Sequence, residues 1–422
     1  MNHGFIMYSD NSNGFRLARR CFLRGATATV GLAACPWFLI KAAHKNVPPL
    51  ENPDAIRQLI ERNRPGRMAV MPPQFCARVG ATHVAGKYHL TSKPFLLEGA
   101  EKLLDLGTKL GKFWLIPKTI KSSYPFNSQW PECRSLLELV RTPYFEKLLG
   151  MPFETLFFEA HAPIEESWRR PSLKPDFYEN VTKEFFDLTA HLYQTLRNRQ
   201  VTVVLQHWEG DWMLRGRGGE MWTQPPDDWP QLCERMVKWL AARQAGVSQA
   251  RARYGSGARC RVAHATEVNR VTDIWKNIPT VTQHVLPKVE LDLISYSSYD
   301  GLSDPLTMWQ CIQEIKKFAR TGPLFGPKAV CIGEIGIPEN VQPNRIVERW
   351  DEMMGVFLAS DMLYIIHWEL YCNEFKGNQN PTPKTPVTDP NLLRGFWLIK
   401  PDGSLSESGR YFHSLWKKAR GG

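Results

Sequence analysis

From about residue 77 onward this chain alternates short apolar runs with longer amphipathic stretches, and the pattern recurs to the end. The short runs are rich in Val, Ile, Leu and Phe, and most end on polar or aromatic residues. A continuous apolar run of about four to eight residues reads as a strand buried on both faces, as parallel strands are. Such runs predict strands around Ala77–His83, Lys112–Ile116, Glu154–Ala160, Val201–Glu209, Arg261–Ala265, Leu291–Tyr296, Ala329–Gly336 and Leu363–Trp368. Between them, apolar residues recur at helical spacing, as at Leu97, Ala100, Leu103 and Leu104. Helices are predicted over Pro94–Leu110, Glu132–Leu149 with a break at Pro143, Phe177–Asn198, Trp229–Arg243, Leu306–Arg320 and Arg345–Ala359. A last amphipathic stretch, Glu407–Lys418, closes the chain.

Eight strand-then-helix units predict an α/β fold in which the strands close into a parallel (β/α)8 TIM barrel wrapped by helices. The structural alternative is an open doubly wound sheet. That fold usually needs fewer units and often carries a Gly-rich phosphate turn after its first strand. Gly80-Ala81-Thr82-His83 is no such turn. The expected organisation is an export signal over 1–43, a linker and N-terminal extension over 44–74, and a barrel over 75–422.

The leader has its own signature. Arg19-Arg20-Cys21-Phe22-Leu23-Arg24 precedes an apolar run from Ala26 to Ile40. The order resembles a twin-arginine export signal, and the run is shorter than the ~20 residues of a membrane-spanning helix. It implies passage through the twin-arginine machinery to the periplasm or the exterior. Leu32-Ala33-Ala34-Cys35 also looks like a lipoprotein box, so membrane contact is expected only through the leader or a lipid on Cys35. The formal charge is +11, of which the first fifty residues carry +5. The remaining +6 contains no long basic run, which argues against nucleic acid as a partner. Nine cysteines are scattered without a C-x-x-C pair, so neither a disulfide framework nor a zinc site is legible.

Barrel enzymes work at the carboxyl ends of their strands. Those ends carry His83, then Glu159 and His161, then His207, Trp208 and Glu209. Further on come His264, Glu267 and Asn269, then Tyr296, Glu334, His367, Trp368 and Glu369. Buried strands rarely end on a carboxylate unless it is satisfied or used. Two acids, Glu209 and Glu334, close the two clearest strands, and a pair of carboxyls is what cleavage of a glycosidic bond needs. Either could instead cap the next helix or pair with a cation. Tryptophans gather beside Glu209, at Trp208, Trp212, Trp222 and Trp229. Indole faces pack on the C–H faces of sugars, although tryptophan is as commonly core.

The layout resembles the retaining (β/α)8 glycoside hydrolase superfamily of cellulases, mannanases and β-glycosidases. Gly333-Glu334-Ile335-Gly336 is similar to that superfamily's nucleophile strand, where G-E-x-G is frequent. The resemblance implies Glu334 as nucleophile, Glu209 as acid/base, Tyr296 as hydrogen-bond support for the nucleophile and Trp368 as the floor of the cleaved subsite. It implies no cofactor. One departure stands out: the superfamily usually has Asn before the acid/base, and this chain has Trp208. Gln206 or His207 is then the expected replacement contact.

Substrate contacts are expected from His83, His161, His207, Trp208, Trp212, Glu267, Asn269 and Trp368. The many strand-end histidines also suit a metal-dependent barrel hydrolase, but no H-x-H pair follows the first strand, and no metal is expected. A non-catalytic carbohydrate-binding barrel is the second functional class left open, with Trp208 as the sign of a decayed site.

Overall fold

The computed structural model describes residues 48–216, 222–377, 381–383 and 385–421. The stretch expected to be an export signal, Cys35 and residues 217–221 of the loop after the fourth strand lie outside the described residues.

Eight parallel strands close into one barrel in chain order. They are β1 (Val79–Thr82), β2 (Leu110–Leu115), β3 (Thr155–Ala160) and β4 (Thr202–Gln206), then β5 (Arg261–Val268), β6 (Leu293–Ser297), β7 (Val330–Ile335) and β8 (Ile365–His367). The register of β8 on β1 shuts the ring, with Gly80 opposite Ile366. This is the expected (β/α)8 barrel.

The helices are, in chain order, α1 (Pro53–Arg62), α2 (Phe75–Arg78), α3 (Phe95–Leu106), α4 (Ile120–Ser123), α5 (Leu136–Val140), α6 (Pro143–Gly150) and α7 (Phe177–Leu196). They continue with α8 (Gly210–Arg215), α9 (Trp229–Tyr254), α10 (Val281–His284), α11 (Pro305–Phe318), α12 (Ile346–Ala359) and α13 (Glu407–Ala419). Local chemistry marks their starts. Asp304 accepts from the N–H groups of Leu306 and Thr307 ahead of Pro305, and Ser406 accepts from Gly409. Pro143 divides the predicted Glu132–Leu149 helix into α5 and α6, as its missing N–H requires.

Several bounds differ from the expectation: β2 begins at Leu110, inside the predicted Pro94–Leu110 helix, and β4 ends at Gln206, three residues before Glu209. The stretch read as linker and extension contains α1, which packs on α12 and brings Arg64 to 2.8 Å from Asp351. Helix α9 runs past Arg243 to Tyr254 because Gly246 does not stop it. At Gly246 the helix passes so close to α7 that a Cβ would lie 2.3 Å from the Thr182 carbonyl oxygen. The glycine serves helix packing rather than helix termination.

Period-two alternation sorts the strand residues into two environments. Inside the barrel, Leu110, Phe157, Val204, Ala265, Leu293, Cys331 and Ile366 form an apolar floor. Two residues further along the same strands the inward positions turn polar, at Lys112, Glu159, Gln206, Glu267, Ser295 and Gly333. The opposite phase faces the helices. It carries Val203, Leu205, Val262, Ile294, Val330, Ile332 and Ile365 into the larger core.

Four strand-end histidines follow that outward phase. His83 packs against Phe95 and Tyr371 and bonds the Phe95 carbonyl at 2.8 Å. His207 meets Thr266 Oγ1 at 2.6 Å, and His264 accepts from Arg243 at 3.1 Å. His367 lies against Trp350 and Phe412. Burial pushes His83 down to about 4 and His367 to about 3. Burial, and then the Arg243 guanidinium, hold His207 and His264 well below the usual imidazole range.

Two outcomes follow from this packing. Gly246→Ala should cost about 1–3 kcal/mol by overpacking, against a helix-propensity gain of under about 1 kcal/mol. Urea unfolding of the variant measures it, and an unchanged midpoint contradicts the close approach. Acid should also weaken the fold. Unfolded imidazoles take up protons near pH 6.5, while the folded His83 resists until about 4. Stability from these groups is therefore complete above the unfolded value and is lost as pH falls through the folded ones. His83 alone accounts for about 3 kcal/mol, since a tenfold change in proton affinity is worth about 1.4 kcal/mol. Glu159, pushed up to about 7 by burial, acts in the opposite sense together with Glu184 and Asp300, which burial also raises, as three groups against the seven histidines among the described residues that burial lowers. Unfolding midpoints should fall between about pH 7 and pH 4, and a rise over that window would contradict the neutral, buried histidines.

Candidate active site

The polar inward positions meet at the carboxyl end of the barrel, around a lysine. Lys112 of β2 is fully buried, with its ammonium 2.7 Å from Glu159 Oε1 and 3.4 Å from Glu267 Oε1. The same ammonium donates to the Gly333 carbonyl at 3.0 Å. Gln206 donates to both Glu159 and Glu267, at 2.8 and 3.0 Å, and Ser295 donates to Glu267 at 3.0 Å. Burial opposes the charge on Lys112, but Glu159, Glu267 and Glu334 outweigh it and hold the ammonium well above its usual range. Glu159 is raised mainly by burial and by its neighbour Glu267, against the pull of Lys112.

Glu209 sits directly after β4, where the chain leaves the sheet and enters α8. Its backbone lies at φ 21°, ψ 79°, a conformation that non-glycine residues rarely hold without tertiary support. That support is visible. The Glu209 N–H donates to Glu267 Oε2 at 3.0 Å, and the Ser297 hydroxyl donates to Glu209 Oε1 at 2.7 Å. Helix α8 is tied down by Asp211, whose carboxylate accepts from Val281 N at 2.8 Å and from Asn269 N at 3.1 Å. Asn269 Oδ1 in turn accepts from Asp211 N at 3.0 Å.

Glu334 reaches the same end of the barrel through a β-bulge. On β6 and β7, Tyr296 pairs with Ile332 but Ser297 pairs with Glu334, so Gly333 is the extra residue. On the other edge Ile332 pairs with Ile365 and Ile335 with His367, three steps against two. Cys331 and Gly333 face inward, so strict alternation would turn Glu334 toward the helices. The bulge instead places it level with Ser297, the residue that bonds Glu209 from inside the barrel. Gly333 is required here: a Cβ would meet Ser295 Oγ at 1.8 Å and Glu267 Oε1 at 2.7 Å. Glu334 is fully buried and its charge acts on Lys112.

The other expected site residues divide sharply. His83 and His207 are outward, packed beneath helices, and do not face the barrel mouth. The expectation of substrate contact is corrected for both by strand phase. Tyr296 is likewise outward, and its hydroxyl donates to Asp300 at 2.6 Å. It does not hydrogen-bond Glu334; Ser297, one residue later, has the inward position. Glu267 is fully buried and its carboxylate is engaged by four protein donors, so it supports the site rather than facing a substrate. Asn269 supports α8 in the same way. His161 keeps a fifth of its side chain exposed near Glu165. Trp208 is half-buried, while Trp212 lies between the guanidinium groups of Arg215 and Arg270, at 5.9 and 5.2 Å. Trp368 shares the inward phase of Ile366 but exposes none of its surface. Among the described residues no group of three or more His, Cys, Asp or Glu is arranged to hold a metal ion.

Lys112, Ser295 and Ser297 were not singled out from the sequence. Lysine inside an apolar strand run was the available signal, since lysine is almost never fully buried unless paired. It was missed because the predicted second strand began at Lys112, which put it at an edge. Ser297 lay one residue past the predicted end of its strand.

No family model matches this chain, and no curated relative matches it by sequence. Solved structures do share its fold. The chain is similar to the family 1 β-glucosidase of Thermotoga maritima, with a TM-score of 0.50 and 10% identity over 83% of this chain and 98% of that one. It is also similar to a xyloglucan-specific endo-β-1,4-glucanase from a metagenomic library, at 0.45 and 10%, over 82% of this chain and 97% of that one. Against Bacteroides uniformis β-glucuronidase 2 the TM-score is 0.46 at 9% identity, over 81% of this chain. The chain spans only about a third of the length of the two β-glucuronidases it matches. At 10% identity the likeness to the β-glucosidase extends to the barrel fold alone.

Proposed function

We propose that this chain is a glycoside hydrolase that retains anomeric configuration, with Glu334 as nucleophile and Glu209 as acid/base. One observation carries the reading. Ser297 is at once the register partner of Glu334 on β7 and the hydroxyl donor to Glu209 after β4. Two acids far apart in the chain therefore meet at one end of the barrel. With neighbouring strands about 5 Å apart, the Glu209 carboxylate lies no more than about 10 Å from the Glu334 Cα. A glutamate side chain closes much of that span, toward the separation of about 5–5.5 Å that retention requires.

The chemistry follows from the placement. Glu334, ionised, attacks the anomeric carbon as the glycosidic C–O bond breaks. Glu209 gives its proton to the departing oxygen. Water then enters, Glu209 takes a proton from it, and the hydroxide displaces Glu334 from the sugar. The Lys112 ammonium favours an ionised Glu334 from below. Of the two candidates to replace the missing Asn, His207 is turned away and Gln206 faces inward. Gln206 is fully buried, however, and its amide donates to Glu159 and Glu267, so it holds the cluster beneath the acids. Trp208, half-buried at the rim, is the aromatic surface best placed for a sugar ring. The shared fold with a β-glucosidase is compatible with this reading, which rests on the two acids. The resemblance of Arg19-Arg20 and the apolar run after it to a twin-arginine signal supports a site of action outside the cytoplasm, reached by that route.

A panel of 2-deoxy-2-fluoro glycosyl fluorides tests the assignment. Peptide mass spectrometry should find the label on Glu334, and Glu334→Gln should abolish both labelling and turnover with the fold intact. Glu209→Ala should lose about 10²–10⁴-fold on glycosides with poor leaving groups. Azide, which needs no base to attack, should restore turnover of an activated glycoside by that variant. A folded Glu334→Gln protein with full activity would remove Glu334 from the mechanism. Sugar binding without any label would leave a carbohydrate-binding barrel.

A further inference from the structure

Glu267 was expected to touch substrate, yet it is fully buried and every contact it makes is to protein. Its Oε2 accepts the N–H of Glu209 at 3.0 Å. Its Oε1 accepts from Gln206 at 3.0 Å, Ser295 at 3.0 Å and Lys112 at 3.4 Å. We propose that Glu267 is a positioning residue that sets the aim of the Glu209 carboxyl, and that its contact with Lys112 couples the backbones carrying the two acids. This rests on Glu209 and Glu334 being the reactive pair.

The physical argument begins at Glu209. Its N–H lies past the end of β4, at the start of a short helix, and donates to the Glu267 side chain. At φ 21° the residue occupies a sparsely populated conformation, and relaxation about φ would swing the carboxyl away from Ser297. A charge-assisted bond from a buried carboxylate is the anchor that opposes this. Gly210 leaves room for it, because a Cβ there would lie 2.4 Å from the Glu267 carbonyl oxygen.

The site needs an acid rather than an amide at this position. Four donors converge on Glu267, and a carboxylate is an acceptor at both oxygens. Glutamine would turn its NH2 group either on the Glu209 N–H or on the cluster of Gln206, Ser295 and Lys112. One side would then face donor against donor. The coupling extends to β7 through Lys112. Its ammonium also holds the Gly333 carbonyl, the peptide immediately before Glu334, and so fixes the bulge. Glu267 and Lys112 thus bind the backbones of both acid carriers without approaching a sugar.

The test separates aim from general damage. A dinitrophenyl glycoside departs without needing a proton, whereas the methyl glycoside of the same sugar needs the acid. For Glu267→Gln, kcat/KM, which reports the first bond cleavage, should fall at least about tenfold further on the methyl glycoside than on the dinitrophenyl one, which feels only the loss of the Lys112 contact beside Glu334. The acidic and basic limbs of the pH profile should also move apart from those of the unaltered chain. Ser295→Ala removes a donor to the same carboxylate without touching the Glu209 carrier, and should affect both glycosides equally. If Glu267→Gln does not fold, Glu267→Asp keeps the charge while withdrawing it from the Glu209 N–H, and the same disparity is expected. Equal losses on the two glycosides in a folded Glu267 variant overturn the positioning role, while labelling of Glu334 in the unaltered chain keeps the catalytic assignment. Failure of that assignment looks different: Glu334 is then not labelled in the unaltered chain, whatever its turnover, and the positioning role falls with it.

Discussion

A single ammonium in the barrel interior makes the rest of the site possible. Charges of one sign cannot gather in a low-dielectric core without neutralisation, and an unpaired buried ion costs several kcal/mol. Lys112 meets Glu159 and Glu267 directly and acts on Glu334, so three carboxyls share one cation. Burial, with Glu267 beside it, still holds Glu159 above the usual carboxylate range against the pull of that cation. The polar upper half of the barrel is therefore a charge-compensated cluster resting on the apolar floor of Leu110, Phe157, Val204 and Leu293.

Two backbone irregularities deliver the acids to this cluster. After β4 the chain turns out of the ladder at Glu209, and on β7 an extra residue breaks the alternation at Gly333 and Glu334. Each irregularity is held by a side chain of the cluster, through Glu267 at the first and Lys112 at the second. Regular strands would have kept the carboxyls on fixed faces. Local departures from regularity re-aim them, and buried charge stabilises those departures.

Much of the architecture was legible because it depends on local pattern. Apolar runs of strand length, separated by stretches of helical period, are enough to predict eight β/α repeats. Closure of the ring then follows from their number and the right-handed crossover. The two acids were legible for a similar reason, since a carboxylate ending a buried strand is rare. The histidines misled because a strand end has two faces. His83 and His207 lie close to the rim in sequence, but strand phase sends them under the helices. Tyr296 fails on the same ground, with Ser297 holding the inward position one residue later. Trp368 keeps the inward phase that the strand pattern implies, and it is as fully buried as Glu334.

Sequence alone determined the closed α/β architecture and the places of Glu209 shortly past β4 and of Glu334 on β7, because apolar periodicity and the cost of burying a carboxylate are properties of short segments. Tertiary structure alone decided that Lys112, Glu159, Gln206 and Glu267 form one network, that Glu334 turns inward, and that Tyr296 does not. The reason is geometric. Which face a residue presents depends on register between neighbouring strands, and a one-residue bulge reverses it without changing the composition of the segment.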